Sequence, residues 1–339
     1  MATASNVPDF SQLSVAVVGD LIADHSIVCE PRGLSREAPV MVLRHAVETV
    51  GAGGAANVAR NLRALGARTR IVGAVGRDAR GRELLQILAD EAIDASGIVT
   101  VPGWTTPTKS RVFAAEPRRS RQQVLRIDRE PDAPIGEVLR GNLAERVRGL
   151  AGEVDVVVLS DYEYGAVDQA LATAALELVR SGTPVVLDPR RDVDRFRGVT
   201  AMTPNVGELA RFSGVDAAEL EGDTGLLRAG RALFDRLALE WLLVTRGNRG
   251  MALFGRSGEV LTVPASGQDD VTDVSGAGDT AAATFALALA AGFGGSEAMR
   301  LANAASGVVV MKSGASTCSP AELARVVPAC PLPGSVEVG

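Results

Sequence analysis

The run "VDVVVLSD", residues 154–161, is continuously apolar over its centre, from Val156 to Leu159. A strand with one face in water alternates apolar and polar side chains, whereas a parallel strand covered on both faces does not. This run is therefore expected to form a parallel strand that is buried on both faces. Other runs of the same character lie at residues 14–19, 70–76, 183–188, 199–204 and 241–247.

Helical patterns separate these apolar runs along most of the chain. Regular alternation of strands with helices implies right-handed βαβ crossovers, which place helices on both faces of one sheet. We therefore predict the α/β class, with a doubly wound and mostly parallel sheet. The predicted helices lie near residues 54–65, 79–92, 136–150, 166–180, 224–238, 277–291 and 296–312.

Two stretches, about 25–50 and 98–130, break this alternation. They alternate apolar with polar residues and contain proline and glycine, as antiparallel strands covered on one face do. We predict that they form a small β-sheet lid inserted into the α/β body. The predicted domain then spans residues 13–328, lid included, and a short tail follows at 329–339.

The composition disfavours several classes of protein. The 339 residues are 46% hydrophobic and carry a formal net charge of −6, which argues against nucleic-acid binding and a polybasic membrane-surface protein. The longest apolar stretch, 281–293, is shorter than the roughly 20 residues that span a bilayer, and the N-terminus lacks an export signal. Three scattered cysteines and two histidines do not suggest a disulfide framework or a metal cluster. We expect a cytoplasmic protein.

A glycine loop, Gly276-Ala277-Gly278, stands directly before Asp279 and an apolar helix. Glycines allow the backbone to approach a ligand closely, and a helix N-terminus attracts an anion such as phosphate. Asp279 would repel that anion, unless it faces a second substrate from which it takes a proton. Phosphoryl transfer needs charge stabilisation and a base near the attacking oxygen, which this loop and Asp279 would supply. The alternative is that the loop caps the helix and Asp279 interacts with the helix dipole.

Two other nucleotide-binding motifs fit the sequence poorly. Residues 307–313 approach a Walker loop, but Met311 replaces its second glycine and no strand precedes it. Residues 51–56 match the G-x-G-x-x-A dinucleotide fingerprint, but the acidic residue expected about 20 residues further on is missing. Among nucleotide-binding motifs, the glycine loop therefore remains as a phosphate site, and the helix-capping alternative for this loop stays open.

Asn205 and Glu208 lie just after a predicted strand, at the start of a helix. Such a pair can order water molecules around Mg²⁺, which keeps much of its hydration shell when it binds a protein. The same pair can instead form a capping box, in which the two side chains satisfy the first helical turn. Both interpretations remain open from the spacing alone.

Six motifs occur in a fixed order along the chain. They are "VVGD" (17–20), "GGAANVARNLRALGA" (53–67), "TPNVGEL" (203–209), "VTRGNRGM" (244–251), "DVSGAGDT" (273–280) and "ANAASGVVV" (302–310). Each motif is modest, but the ordered set is highly specific. From about residue 13 to residue 326, the chain resembles the ribokinase-type (PfkB) carbohydrate kinases. The resemblance implies that Asp279 is the catalytic base and that the glycine loop before it is the anion hole.

The resemblance also implies ligand contacts. Asn205 and Glu208 would support Mg·ATP, with Glu208 acting on the Mg²⁺ ion through water. The other nucleotide contacts that it implies are Thr245, Gly247 and Asn303. The residues expected to hold sugar hydroxyls are Asp20, Gly53, Gly54 and Asn57.

Within the family, the sequence is most similar to the heptose 7-phosphate kinases. This similarity implies ATP-dependent phosphorylation of the anomeric hydroxyl of D-glycero-β-D-manno-heptose 7-phosphate. Lys109 is one of two lysines in the chain and stands near Arg111 in the predicted lid, which suits an anionic sugar. The shared stretches are "SREAPV" (35–40), "TPTKSRV" (106–112), "RQQVLRID" (121–128), "SDYEYGA" (160–166) and "STCSP" (316–320).

One departure keeps other substrates open. These kinases usually carry D-Y-x-K-G, whereas this chain has Tyr164 in place of the lysine. If that lysine binds the substrate phosphate, an arginine from 118–121 must replace it, or the enzyme phosphorylates another sugar or sugar phosphate. A catalytically silent sugar- or nucleotide-binding regulator is the alternative from a different class, although a binder has no use for a base. Related kinases commonly dimerise through such lids, so we expect a homodimer. They are often fused to a nucleotidyltransferase. This chain ends too soon to contain one, so we expect it to carry the kinase step alone.

Overall fold

The computed structural model describes residues 7–115, 121–267 and 271–335. In this part of the chain, no helix is both long and apolar enough to cross a membrane. The strands are β1 (Ser14–Leu34), β2 (Met41–Gly54), β3 (Arg68–Gly76), β4 (Asp94–Val101), β5 (Thr108–Ala114), β6 (Gln122–Arg129), β7 (Val156–Ser160), β8 (Val185–Asp188), β9 (Ala201–Met202), β10 (Trp241–Thr245), β11 (Met251–Gly255), β12 (Val260–Val263) and β13 (Gly334–Ser335). The α-helices are α1 (Ala55–Ala64), α2 (Ala79–Asp90), α3 (Glu137–Arg148), α4 (Gln169–Arg180), α5 (Val206–Ser213), α6 (Asp223–Leu237), α7 (Ala277–Ala290), α8 (Gly295–Val309) and α9 (Pro320–Val326).

One sheet, the main sheet, runs through the molecule in the order β13-β12-β11-β10-β9-β8-β7-β1-β3-β4. The strands from β10 to β4 pair in parallel, whereas β11, β12 and β13 add an antiparallel edge. Helices cover both faces of this sheet. The predicted fold class, a doubly wound and mostly parallel α/β sheet, is therefore confirmed.

The side chains of β1 explain why successive positions of the buried strands are apolar. Val15 and Val17 pack in one hydrophobic core with residues of α1, α7 and α8. Ala16 and Val18 pack in a second core with residues of α3 and α4. Successive side chains of a strand point to opposite faces, so a strand covered on both faces needs apolar residues throughout.

The second half of β1 leaves the main sheet and enters the lid sheet, which consists of residues 21–34 with β2, β5 and β6. Strand β2 pairs with β1 in antiparallel orientation, and β5 pairs with β1 in parallel. Strand β6 then pairs with β5 in antiparallel orientation. One continuous strand therefore joins the body to the lid sheet and sets where the lid stands over the main sheet.

The structure corrects two predicted boundaries. Residues 98–101, predicted as lid, belong to β4, which pairs in parallel with β3 at the edge of the main sheet. An edge strand exposes one face and so shows the same alternation as a lid strand, which explains this error. The predicted tail at 329–339 is also partly ordered, because Cys330 is buried and Gly334–Ser335 pairs with β12.

Two helix glycines predict opposite effects of the same substitution. A Cβ at Gly230 in α6 would overlap the ring of Phe254, so Gly230→Ala should lower the free energy of unfolding by about 1–3 kcal/mol. A Cβ at Gly141 in α3 meets no atom within 4 Å, so Gly141→Ala should raise this free energy by about 1 kcal/mol. Chemical denaturation followed by circular dichroism measures both changes. A gain of stability in Gly230→Ala would contradict the packing described at Phe254.

Candidate active site

The carboxyl ends of the parallel strands open into a cavity of about 920 Å³. In doubly wound sheets, ligands bind at these strand ends because loops and helix N-termini converge there. Asp188 ends β8 and Thr245 ends β10, and both line the cavity. Other lining residues include Asp161, Tyr162, Asn205, Glu208, Gly247, Gly276, Ala277, Gly278, Asp279 and Asn303.

The glycine loop forms the N-terminus of α7 at one wall of the cavity. Gly276 has a φ of 79°, in the left-handed region that favours glycine. The N–H of Ala277 reaches Val274 O at 3.3 Å, whereas the N–H groups of Gly278 and Asp279 have no acceptor in the part of the chain that the structure describes. This helix end therefore offers N–H donors and the positive end of a dipole, which suit a phosphate oxygen.

Asp279 lies in the first turn of α7 and is buried, with 7% of its surface exposed. Its Oδ2 accepts a hydrogen bond from Asn57 Nδ2 at 2.7 Å, and its Oδ1 accepts one from the Tyr162 hydroxyl at 3.0 Å. Burial raises the pKa of the Asp279 carboxyl to about 6, and the charge of Asp24 adds to this rise. The two hydrogen bonds and the Lys109 ammonium oppose the rise in pKa, since they stabilise the charged form. The carboxyl group is thus able to exchange a proton near neutral pH.

A chain of buried hydrogen bonds holds Asn57 in place. Asn61 Nδ2, one turn further along α1, donates to the Asn57 carbonyl oxygen at 2.9 Å. The Thr280 hydroxyl of α7 donates to Asn61 Oδ1 at 2.9 Å. Asn57 Oδ1, in contrast, is buried and has no partner among the described residues. Since buried polar atoms are normally paired, this acceptor fits a ligand donor such as a hydroxyl group.

Asn205 and Glu208 form the capping box of α5. Asn205 Oδ1 accepts from the Glu208 N–H, and Glu208 Oε2 accepts from the Asn205 N–H, both at 2.9 Å. Glu208 Oε1 lies 3.3 Å from Arg190 Nη1. Both members of the box also line the cavity. The capping role is therefore present, and it leaves the two side chains beside the space for a ligand.

Acidic groups collect on this side of the cavity. Burial raises the pKa of Glu208, and burial together with the charges of Asp279 and Glu208 raises the pKa of Asp188. A divalent cation would relieve this repulsion. Within the described ranges, no group of three or more His, Cys, Asp and Glu residues forms a complete metal cage. The donor set therefore fits Mg²⁺, which binds through one or two carboxylates, water and substrate phosphates.

Asp20 holds the loop that follows β7. It is buried, and its carboxylate accepts the N–H groups of Tyr162, Tyr164 and Ala166 at 2.9, 3.1 and 3.0 Å. Burial raises the pKa of Asp20, and these hydrogen bonds oppose the rise. The sequence analysis did not foresee these backbone partners, and the sugar contact expected of Asp20 stays a prediction.

The predicted nucleotide contacts lie along one part of the cavity wall. Thr245 and Gly247 both line it, and Gly247 has a φ of 58° in a tight turn. Asn303 lines it as well, but its amide group has protein partners. Its Nδ2 donates to Pro264 O at 2.9 Å, and its Oδ1 accepts from the Ser266 N–H at 3.4 Å. Asn303 therefore shapes the wall by tying α8 to the segment after β12.

Gly53 and Gly54 are the last residues of β2 and lead directly into α1. Gly54 has a φ of 57°, and a Cβ at Gly53 would lie 2.6 Å from Asp24 Oδ2. Asp24 Oδ1 in turn accepts a hydrogen bond from Arg111 Nη1 at 2.6 Å. This end of β2 thus brings the backbone beside an acidic side chain that the sequence analysis did not select.

Lys109 lies close to the residues around Asp279. Its Nζ is 4.9 Å from the centroid of the Tyr162 ring, and Arg111 follows on the same face of β5. Burial lowers the pKa of Lys109, and the charge of Asp24 opposes this. The structure therefore brings both predicted lid cations to the side of the site where Asp24 and Tyr162 lie.

Tyr164, which stands where related kinases carry lysine, points to a different partner. Its hydroxyl donates to Glu130 Oε1 at 3.0 Å. Glu130 lies just after β6. Of the arginines considered as replacements, Arg118 and Arg119 lie outside the described residues.

Asp188 and Tyr162 are among the residues of the cavity wall that were not selected from the sequence. Asp188 did carry a signal, because a carboxylate at the carboxyl end of a parallel strand marks the edge where such sheets bind ligands. Tyr162 lies in the shared stretch 160–166, but its hydrogen bond to Asp279 joins residues that are 117 positions apart, and no local pattern predicts that bond.

A buried carboxylate beside free N–H donors at a helix end suits phosphoryl transfer to a hydroxyl group, and the fold around it is that of a carbohydrate kinase. Comparison with known families agrees with this class. Residues 12–322 match the pfkB family carbohydrate kinase, and the chain belongs to that family. It is therefore an ATP-dependent sugar kinase.

Individual relatives support the same family. The bifunctional protein HldE of Geobacter metallireducens is 40% identical over 313 residues, which are 92% of this chain and 62% of the relative. The chain thus spans less than two thirds of that relative's length. Ribokinase of Arabidopsis thaliana, solved with ribose and ATP, shares the fold with a TM-score of 0.73 at 22% identity over 93% of this chain and 98% of that one. Phosphofructokinase-2 of Escherichia coli, solved with potassium, shares the fold with a TM-score of 0.76 at 18% identity. The match covers 93% of this chain and 98% of that one.

The raised pKa of Asp279 predicts that its removal stabilises the fold. The carboxyl has a pKa of 3.8 when unfolded and of about 6 when folded, so the folded state loses stability relative to the unfolded one as the pH rises through this window. Asp279→Asn should therefore raise the free energy of unfolding by roughly 3 kcal/mol near pH 8, and by little near pH 4. Urea denaturation at both pH values measures this. The control Asp94→Asn, at a group whose pKa is lowered, should show no gain near pH 8. A gain for Asp279→Asn that is equal at both pH values would contradict the raised pKa.

Proposed function

We propose that the protein transfers the γ-phosphoryl group of ATP to the anomeric hydroxyl of D-glycero-β-D-manno-heptose 7-phosphate, which yields the 1,7-bisphosphate and ADP. The observation that carries this proposal is Asp279, buried between two hydrogen-bond donors beside a helix N-terminus with unused N–H groups. The stretches shared with heptose 7-phosphate kinases support the choice of sugar. The identity of 40% with a bifunctional protein HldE is in keeping with it.

In this mechanism Asp279 takes the proton of the anomeric hydroxyl as the hydroxyl oxygen attacks the γ-phosphorus. The bond between that phosphorus and the β,γ-bridging oxygen breaks, and ADP leaves with the oxygen. The N–H groups of Gly278 and Asp279 stabilise the charge that spreads over the phosphoryl oxygens. A base with a pKa of about 6 is charged at neutral pH and still accepts a proton effectively.

The nucleotide would occupy the part of the cavity lined by Thr245, Gly247 and Asn303. A volume of about 920 Å³ is in the range of ligand pockets and accommodates a nucleotide. Glu208 would hold Mg²⁺ through water, with Asp188 as a second carboxylate on the same wall. The bound ion would neutralise charge on the ATP phosphates.

The sugar phosphate would lie on the lid side of Asp279. Lys109 and Arg111 are the proposed partners of the 7-phosphate, because two cations on one strand face can bind an anion together. Asn57 Oδ1 supplies an unpaired acceptor for a sugar hydroxyl. Tyr164 stands where related kinases carry lysine and bonds Glu130, so the proposed recognition of the phosphate rests on Lys109 and Arg111.

Turnover of a defined acceptor tests this function. The protein is incubated with ATP, Mg²⁺ and a panel of sugars and sugar phosphates, with ADP release as the signal and ³¹P NMR to locate the new phosphate. Heptose 7-phosphate should be the preferred acceptor, phosphorylated at the anomeric carbon. Asp279→Asn should lower kcat by roughly 10²–10⁴-fold while ATP still binds, because the base is lost. Preference for another sugar would overturn the substrate, and near-wild-type kcat in Asp279→Asn would overturn the base.

Replacing the lid lysine tests how the phosphate is recognised. Lys109→Met should raise the KM for the sugar phosphate by about 10- to 150-fold, because a charged contact is lost. The KM for ATP should stay nearly unchanged. Lys312→Met is the matched control, since the Lys312 ammonium bonds Thr317 O and Glu322 at 2.7 and 2.8 Å. If Lys109→Met weakens free and phosphorylated sugars equally, Lys109 does not bind the phosphate.

We also propose a homodimer formed through the lid sheet, in a cytoplasmic enzyme whose three cysteines are free thiols. Large apolar side chains exposed in one region favour association with another chain. Sedimentation or light scattering at tens of micromolar should show a dimer, which Leu125→Lys should weaken. Val138→Lys, at an exposed apolar residue of α3, is the control and should remain dimeric. A monomeric wild-type protein would contradict the proposed dimer. The exposed apolar side chains of the lid region are Leu34, Val40, Met41, Val42, Val47, Val124, Leu125 and Ile127.

A further inference from the structure

Tyr162 contacts both the proposed base, Asp279, and the proposed phosphate-binding residue, Lys109. Its hydroxyl donates to Asp279 Oδ1 at 3.0 Å, and its ring lies 4.9 Å from the Lys109 ammonium, measured to the ring centroid. A cation over an aromatic face is attracted by the electron density of the ring. The Tyr162 hydroxyl is therefore hydrogen-bonded to the proposed base, and the face of its ring contacts the proposed phosphate-binding cation.

The loop around Tyr162 holds it in this position. Asp20 accepts the N–H groups of Tyr162 and Tyr164, and Asp161 accepts the N–H of Glu163 at 2.9 Å. Asp20 and Asp161 are both buried. Backbone groups fixed to buried side chains leave the loop little freedom, so the Tyr162 ring is presented to its partners already oriented.

We propose that Tyr162 is a positioning residue that couples the two ends of the acceptor site: its hydroxyl orients the Asp279 carboxylate, and its ring orients the Lys109 ammonium. This inference rests on the proposed function, in which Asp279 is the base and Lys109 binds the substrate phosphate. Asn57 and Tyr162 each bond one oxygen of Asp279, so donors from two elements fix the plane of the carboxylate. Each oxygen keeps further acceptor capacity for the proton of the sugar hydroxyl.

The hydrogen bond from Tyr162 also lowers the pKa of Asp279. Asp24 and Asp188 act on Asp279 as like charges, and Lys109 as the opposite charge. Burial is the main cause that raises the pKa of Tyr162 well above its ordinary value, and the neighbouring carboxylates add to the rise. The hydroxyl of Tyr162 therefore remains a hydrogen-bond donor. Without that donor the charged form of Asp279 has one hydrogen bond fewer, and its pKa rises.

Carbon-13 NMR of labelled aspartate carboxyls measures the first contact in protein without substrate, and Asp279→Asn identifies the Asp279 signal. Tyr162→Phe should raise the pKa of Asp279 by about one pH unit. Tyr164→Phe is the matched control, since its hydroxyl bonds Glu130 in the same loop, and it should leave this pKa unchanged. An unchanged pKa in Tyr162→Phe, or equal shifts in both variants, would overturn the proposal.

Lysine labelling measures the second contact, because Lys109 and Lys312 are the only lysines of the chain. The ¹³C-labelled ε-methylene of Lys109 should show a ring-current shift that Tyr162→Phe retains and that Tyr162→Leu and Tyr162→Met remove. The Lys312 signal should stay in place in all variants, as a control for folding. A Lys109 signal that does not change when the ring is removed would overturn the proposal for the ring.

Kinetics then separate positioning from a general loss of structure. Tyr162→Phe should leave the KM for the phosphorylated acceptor near the wild-type value, whereas Tyr162→Leu should raise it about 2- to 30-fold. Equal KM values in the two variants would count against the ring contact.

Both NMR measurements are made without a sugar, so they remain valid if the wild-type enzyme prefers another acceptor. Conversely, turnover of heptose 7-phosphate by the wild type would stand if the Tyr162 inference failed.

Discussion

The burial of the Asp279 carboxylate at the N-terminus of α7 is the constraint on which the rest of the site depends. Removing a carboxylate from water disfavours its charge, and burial raises its pKa to about 6. The hydrogen bonds that oppose this rise come from Asn57 in α1 and Tyr162 in the loop after β7. Three distant parts of the chain must therefore meet around one side chain. The doubly wound sheet brings them together, because β7 and the helices on its faces all end or begin at the same edge.

Strand β1 connects this carboxylate to the region proposed to bind the sugar phosphate. Its first half lies between β3 and β7 in the main sheet, and its second half pairs with β2 and β5 in the lid sheet. Asp24 on this second half bonds Arg111 on β5 and stands opposite Lys109 in the register. The lid cations are thus tied to the body by a continuous strand, and their distance from the base follows from the fold of β1.

Local patterns in the sequence predicted the fold well because they report burial. Successive residues such as Val15 and Ala16 are apolar because each packs in a different core, which is the signature of a parallel strand covered on both faces. The same patterns could not separate the edge strand β4 from a lid strand, since both expose one face. They located Asp279 through its glycine loop, but not the partners of Asp20, which are backbone N–H groups. The bond from Tyr162 to Asp279 spans 117 positions and exists only in the folded chain.

The assignment of Asp279 as the base is tested by the pH dependence of kcat/KM for the sugar phosphate, because kcat/KM reports the pKa values of the enzyme before the sugar binds. We expect kcat/KM to be constant above pH 7 and to fall about tenfold per pH unit below a pKa of about 6, as Asp279 takes up a proton. Circular dichroism at each pH confirms that the enzyme remains folded. A kcat/KM that stays constant down to about pH 5 in the folded enzyme would contradict this assignment.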